Sequence, residues 1–421
     1  SQRHRARLVP ALTGHEPRSG VETCIPSQSR TGELHLVNFT HLLLAGLVMA
    51  VLTGHAGADR VRFATFNASM SRGAEGELAV ALRDGADPQI AKIAAIIRAV
   101  DPDIVLVNEF DYGAGHDRAF VDNWLGGDWP FSFIAPSNTG LATGRDLDGD
   151  GIVGSESGTM ELARDSHGFG TFEGQYGMVV LSKHEIALAD VRTFRTFLWR
   201  DMPGARLPVS PDGTPFYSDE VLGILRLSSK SHWDVPVRIG GEIVHFLVSH
   251  PTPPVFDGPE DRNGTRNADE IRFWSDYIAG AEYIEDDSGA KGGLPGGARF
   301  VIAGDLNADP VDGESVPGAI RQLLEHPLVD ASMAPSADGA AAAAEAQGGS
   351  NSTHRGDPRF DTADFDDEAP GNLRVDYVLP SAGLEIVAAG VFWPGEGDPG
   401  AELLDASDHR LVWIDITLPT R

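Results

Sequence analysis

Cysteine is almost absent. Cys24 is the only one in 421 residues, so a disulfide framework and a thiolate metal centre are both excluded beyond it. Positive charge is also scarce: Lys and Arg number 33 against 62 Asp and Glu, a formal net charge of −29. Residues 1–58 hold five Arg and three Glu, which leaves 28 basic and 59 acidic groups in the remainder. A field of that sign repels polyphosphate backbones and anionic lipid, so long nucleic acid is a disfavoured partner. Long apolar runs are missing as well. The one that stands out, Leu42–Leu52, is short of the ~20 residues that span a bilayer. It is followed by Ala56-Gly57-Ala58, a small-x-small pattern. This predicts a leader over 1–58 with a signal-peptide h-region at 42–52, cleavage before Asp59, and a mature chain, free of membrane spans, that is secreted or periplasmic. A buried core segment is the competing reading of the same run.

The chain is rich in Gly (49) and Pro (27), which favours many strands and long connections over a helical bundle. Strands are predicted at Val61–Phe66, Ile104–Val107, Tyr176–Ser182, Leu222–Leu227, Ile243–Ser249, Phe300–Ala303, Val375–Leu379 and Leu411–Ile416, from apolar runs bounded by turn residues. Asp87-Pro88 supplies an N-cap and an N1 proline, and Ile90, Ile93, Ala94 and Ile97 recur at helical spacing, so a helix follows. A second helix is predicted over Asn267–Ile278. Residues 112–175 read as a long loop region, and the Ala/Gly-rich stretch 336–350 as a flexible surface loop. No linker interrupts 59–421, which is treated as one catalytic domain.

Six apolar segments run into a carboxylate, carboxamide or imidazole: Phe66-Asn67, Asn108-Glu109-Phe110-Asp111, Ser249-His250, Gly304-Asp305-Leu306-Asn307, Arg374-Val375-Asp376-Tyr377 and Ser407-Asp408-His409. An acidic group straight after a buried strand is costly unless something compensates. A hard divalent cation, which takes oxygen ligands, does so. Asn108 and Asp111 flank Glu109 but point elsewhere on an extended chain, and are left out of the site.

In this order the segments resemble the endonuclease/exonuclease/phosphatase superfamily, with its DNase I-like fold, over nearly all of residues 60–417. The resemblance implies an α/β architecture: a four-layer sandwich of two mixed β-sheets flanked by helices. It implies hydrolysis of phosphate mono- or diesters with a divalent metal, Mg²⁺ or Mn²⁺ or else Ca²⁺. Carried over residue by residue, Glu109 is the principal metal ligand, supported by Asn67 and Asp408. Asp305 orients or deprotonates the attacking water, and Asn307 holds the phosphate or the nucleophile. Asp376 and His409 form a carboxylate–imidazole dyad, and His250 stabilises or protonates the phosphoryl oxygens. Tyr176 stands where many members have a phosphate-contacting tyrosine, although Met-Val follows Gly177 where Asn-Ala is commoner.

Two features lie outside that resemblance. Asp146, Asp148 and Asp150 alternate before Gly151, with Val153 at the eighth position, like a Ca²⁺ loop of the EF-hand type. Ser157 stands at the twelfth position where such loops have Glu. A structural Ca²⁺ is expected there, against a solvated acidic turn. Basic residues also recur near the catalytic segments, and Lys230, His232 and Arg266 are the expected substrate-binding rim. The leading expectation is thus a phosphoesterase acting on a small ester. A secreted nuclease on DNA or RNA is the alternative, and a non-catalytic calcium-dependent binding module on the same scaffold is the second.

Overall fold

The computed structural model describes residues 59–418. The expected leader at 1–58 lies outside the described residues. Thirteen strands are present among the described residues: β1 Asp59–Asn67, β2 Ile104–Asn108, β3 Phe131–Ile134, β4 Met178–Ser182, β5 Arg192–Thr193, β6 His232–Ile239, β7 Glu242–Ser249, β8 Arg299–Asp305, β9 Ala363–Asp364, β10 Asn372–Leu373, β11 Asp376–Pro380, β12 Glu385–Val391 and β13 Val412–Leu418. They form a six-stranded sheet in the order β12-β13-β1-β2-β4-β3, a five-stranded sheet in the order β11-β8-β7-β6-β5, and a β9-β10 ribbon. Each large sheet mixes parallel and antiparallel pairs: β1–β2 and β7–β8 are parallel, and the remaining neighbours are antiparallel.

Both sheets are apolar on both faces, and this sets the layering. Val61, Phe63, Leu106 and Ile414 of the first sheet pack on Val235, Phe246, Val301 and Val378 of the second. The opposite face of the first sheet, with Phe66, Val105 and Val107, covers Ile90, Ile93 and Ile97 of the helix Pro88–Val100. That helix starts as its sequence predicts. Asp87 accepts from the N–H of Gln89 (2.9 Å) and Ile90 (3.0 Å), which satisfies two otherwise unpaired donors of the first turn. The outer face of the second sheet, with Leu247 and Ile302, covers Ile271, Trp274 and Ile278 of the helix Arg262–Ile278. The result is the four-layer α/β sandwich.

Four local expectations change. The 112–175 region is not featureless: it holds helices His116–Trp124 and Met160–Arg164 around β3. Leu222–Leu227 is not a strand. A short helix, Asp219–Leu222, ends there, and Arg226 makes one isolated bridge to Leu198. The Ala-rich stretch is a helix, Asp338–Gln347, with Ala340 and Ala344 buried. Alanine's high helix propensity outweighs the flanking glycines. The predicted Asn267 helix starts five residues earlier, at Arg262. No helix among the described residues is long and apolar enough to cross a membrane.

Candidate active site

The sheet register gathers the polar strand ends. β1 and β2 run parallel with Asn67 beside Asn108, so Glu109 follows directly beyond the sheet edge. β7 and β8 run parallel with Val248 beside Ala303, which brings His250 to Asp305. β8 and β11 are antiparallel with Asp305 opposite Asp376. Gly304 makes this approach feasible, because a Cβ there would meet the Ser249 carbonyl oxygen at 2.1 Å.

Asp305 is the hub and is buried. Its Oδ2 accepts from Asn67 Nδ2 (3.1 Å) and lies 3.3 Å from His250 Nε2 and 3.7 Å from His409 Nε2. Its Oδ1 accepts from the Asn307 N–H (3.0 Å). Burial alone would raise its pKa, but the charge of His409 and the hydrogen bonds from His250 and Asn67 hold it well below the usual carboxylate range, so it stays ionised. Asn67 Nδ2 also donates to Glu109 Oε1 (3.2 Å), tying the two carboxylates together.

Asp376 orients His409. Its Oδ2 lies 2.9 Å from His409 Nδ1 and accepts from Thr362 Oγ1, also at 2.9 Å. The N–H groups of Val375 and Asp376 in turn donate to Thr362 Oγ1. Burial would lower the His409 pKa, yet the charges of Asp376 and Asp305 raise it above the ordinary value. His250 moves the other way, lowered by burial and then by Lys230. With Nε2 turned to Asp305, its Nδ1 is buried without a partner. The centre therefore holds one cationic and one neutral imidazole on the same carboxylate.

Strain collects here too. Of the seven non-glycine residues at positive φ among the described residues, Ser69, Glu109, Tyr176 and Asn307 belong to this centre. Such conformations cost ~1 kcal/mol or more each and persist where surroundings enforce them. Asp111 holds one of them, Tyr176, directly. It follows the Glu109 turn, and its carboxylate accepts from the N–H of Arg72 (2.9 Å) and Tyr176 (3.1 Å). Burial pushes Asp111 up to about 7, with those hydrogen bonds opposing. Asn108 Oδ1 accepts from Thr65 Oγ1 and the Asp305 N–H. Both residues set aside on sequence thus build the site from beneath. Tyr176 is half-buried, and burial followed by the charges of Glu109 and Asp111 raises its hydroxyl pKa.

Other positions separate. Asp408 stands exposed at the rim, its Oδ1 accepting from Ser69 Oγ (3.0 Å). It joins no group of three with Glu109 and Asp305. The group of three that does form within 4.8 Å is Asp305, Asp376 and His409. Oxygen donors dominate this centre, and Asp376 Oδ1 is buried without a partner. A hard divalent cation fits such a donor set, and Glu109 borders it, tied to Asp305 through Asn67 Nδ2.

Lys230 is buried beside the centre. Burial lowers its pKa, while Glu270, Glu109 and Asp305 oppose that shift. His232 is a correction. Its Nδ1 meets Ser228 Oγ (2.6 Å) and its Nε2 meets the Glu270 carbonyl oxygen (2.9 Å), so neither ring nitrogen is available to a ligand. Arg266 is another, since its guanidinium donates to the carbonyls of Leu227, His167 and Arg226. The acidic loop also changes membership. Asp146 and Asp148 gather with Asp165 within 4.8 Å, and Asp150 does not join them. Asp150 Oδ1 instead accepts from the Ile152 N–H.

The centre is thus a buried cluster of carboxylates and histidines, able to hold a divalent cation, at the strand ends of a two-sheet sandwich. The sequence profile described as Endonuclease/Exonuclease/phosphatase family matches residues 64–409, and the chain belongs to that family. Solved structures resemble it at low identity. An endonuclease/exonuclease/phosphatase from Beutenbergia cavernae is 19% identical with a TM-score of 0.48, over 85% of this chain and 72% of that one. Sphingomyelinase C from Streptomyces griseocarneus is 14% identical with a TM-score of 0.42, over 85% and 98%. A Staphylococcus aureus beta toxin mutant with bound magnesium ions is 13% identical with a TM-score of 0.41, over 85% and 99%. No curated protein matches the chain.

Proposed function

We propose that the chain hydrolyses phosphate esters by in-line attack of a water held on Asp305. The observation that carries this reading is the convergence of Asn67, His250 and His409 on one buried, ionised oxygen of Asp305. That oxygen stays ionised and can accept a hydrogen bond from the water, which orients it for attack. His409, kept cationic by Asp376, stabilises the phosphoryl oxygens or passes a proton to the leaving oxygen. His250 remains neutral and orients Asp305, while Asn307 and Tyr176 border the phosphoryl group. Lys230 adds positive charge from the buried side. A divalent cation would be held by Glu109, with Asn67 and Asp408 beside it, and would supply Lewis acidity toward the phosphoryl oxygen. Little covalent work falls to the protein in such a transfer, so positioning and charge carry the catalysis.

The acidic surface supports a small ester over a long polyanion as substrate. The apolar run and small-residue pattern at 42–58 support action outside the cytoplasm. The acidic loop supports a calcium-stabilised segment built on Asp146, Asp148 and Asp165. The test is a panel of p-nitrophenyl phosphate, bis-p-nitrophenyl phosphate, RNA and plasmid DNA, run with Mg²⁺, Mn²⁺ or Ca²⁺ after EDTA treatment. Metal-restored turnover of the small esters is expected. Fast plasmid nicking at physiological salt would reverse the substrate order, and no turnover with any metal would end the enzymatic reading.

A further inference from the structure

In a chain this acidic, an arginine without a carboxylate is conspicuous. Arg195 has no hydrogen-bond or ion-pair partner for its guanidinium among the described residues. The sole side-chain partner of Arg226 is the Asn138 carboxamide, at 2.6 Å. The two arginines share a frame: Asn138 Nδ2 donates to the Arg195 carbonyl, and Arg266 Nη2 donates to the carbonyls of both Arg226 and His167. His167 is 93% buried with its Nδ1 unpartnered. Burial, then Arg226, Arg266 and Arg195, press its ring down to about 3, so it is neutral and surrounded by cations. The carboxylate nearest in effect to Arg226 is Asp287. Its oxygens are already engaged by the hydroxyls and N–H groups of Thr193, Arg195 and Thr196. Half-buried like charges with a single carboxylate near them are costly, and a further anion relieves that cost.

The cluster borders the reaction centre. Asn138 N–H donates to the Lys230 carbonyl (2.9 Å), and Arg226 lies four residues before Lys230, within about 14 Å along the chain.

We propose that Arg195 and Arg226, together with the unpaired Nδ1 of His167, form a subsite for a second anionic group of the substrate, a phosphate apart from the one under attack. This rests on the phosphoesterase reading for its purpose, while its existence as an anion site is separable. Guanidinium pairs suit a phosphate through planar, charge-assisted hydrogen bonds. The subsite reconciles a repelling surface with an anionic substrate, because it offers local positive charge that the overall field lacks.

The test is calorimetric titration of inorganic phosphate into the full chain, Arg195→Met and Asp305→Asn, with thermal melts to confirm folding. Arg195→Met is the first variant because its guanidinium supports nothing else; Arg226→Lys is the second. Phosphate binding should weaken at least ten-fold in Arg195→Met, weaken less in Arg226→Lys, and persist in Asp305→Asn. Unchanged binding in Arg195→Met, or none in the parent chain, overturns the subsite. The same preparations are then assayed on p-nitrophenyl phosphate and on an ester bearing a second phosphate. A KM increase in Arg195→Met confined to the doubly phosphorylated ester supports the substrate role, and equal KM changes for both overturn it. Arginine-dependent phosphate binding with no ester hydrolysed would sink the reaction and leave the anion site standing.

Discussion

Asp305 and Asp361 are both buried, at 1% and 8% exposure, yet their carboxyls shift in opposite directions. Asp305 is met by a carboxamide, a backbone N–H and two imidazoles. Asp361 has no hydrogen-bond partner for its carboxylate among the described residues. Burial, then Asp309, Asp312 and Asp357, push it up to about 8. The comparison shows that burial alone does not set the state of an acid here; the groups pointed at it do. At neutral pH one buried aspartate is ionised and the other is largely protonated.

The strongest way to break the comparison is to make Asp305 neutral. Asp305→Asn should lower kcat on p-nitrophenyl esters by about 1,000-fold or more, in the range seen when a key transition-state group is lost. The fold should survive, as checked by thermal melt. Asp376→Asn tests the next contact, because it removes the charge that keeps His409 cationic while preserving shape. A loss of about 100-fold in kcat is expected. Loss in KM alone would mean that the dyad only binds. Lys230→Met should cost on the order of ten-fold in kcat/KM, the effect of one charge-assisted contact.

The Asp361 side is a stability experiment. An aspartate whose folded value lies above its unfolded one binds a proton that the unfolded chain has released. Stability is therefore full below about 4 and falls as pH rises toward about 8. Asp361→Asn should raise Tm by a few degrees at pH 8 and leave it nearly unchanged at pH 4. A gain of the same size at both would show that the carboxyl is not titrating. The smallest effect concerns the acidic loop. Calcium chelation should lower Tm by a degree or two, and Asp165→Asn should abolish that response.

Much of the site was legible because its residues stand at the ends of apolar strands. Asn67 and Asp305 close β1 and β8, Asp376 opens β11, and the register then aligns Asp305 with Asp376. What escaped were residues defined only by distant partners. Thr362 reaches Asp376 across 14 positions, Asp165 reaches Leu147 across 18, and Glu270 holds Ser229 across 41. No local pattern marks such residues. His232 and Arg266 misled for the reverse reason: a polar side chain near a motif looks available until the backbone carbonyls and hydroxyls around it are known. Helix Asp338–Gln347 was obscured by composition, since repeated alanine between glycines resembles a flexible stretch and gives a weak apolar stripe.

Hydrolysis of bis-p-nitrophenyl phosphate in oxygen-18 water, followed by mass spectrometry of both products, tests the central claim most directly. Attack on phosphorus by a water on Asp305 places the label in the p-nitrophenyl phosphate released, and the rate at which that labelled product forms should fall about 1,000-fold in Asp305→Asn. Label in the p-nitrophenol, or labelled p-nitrophenyl phosphate formed at an undiminished rate in Asp305→Asn, would contradict it.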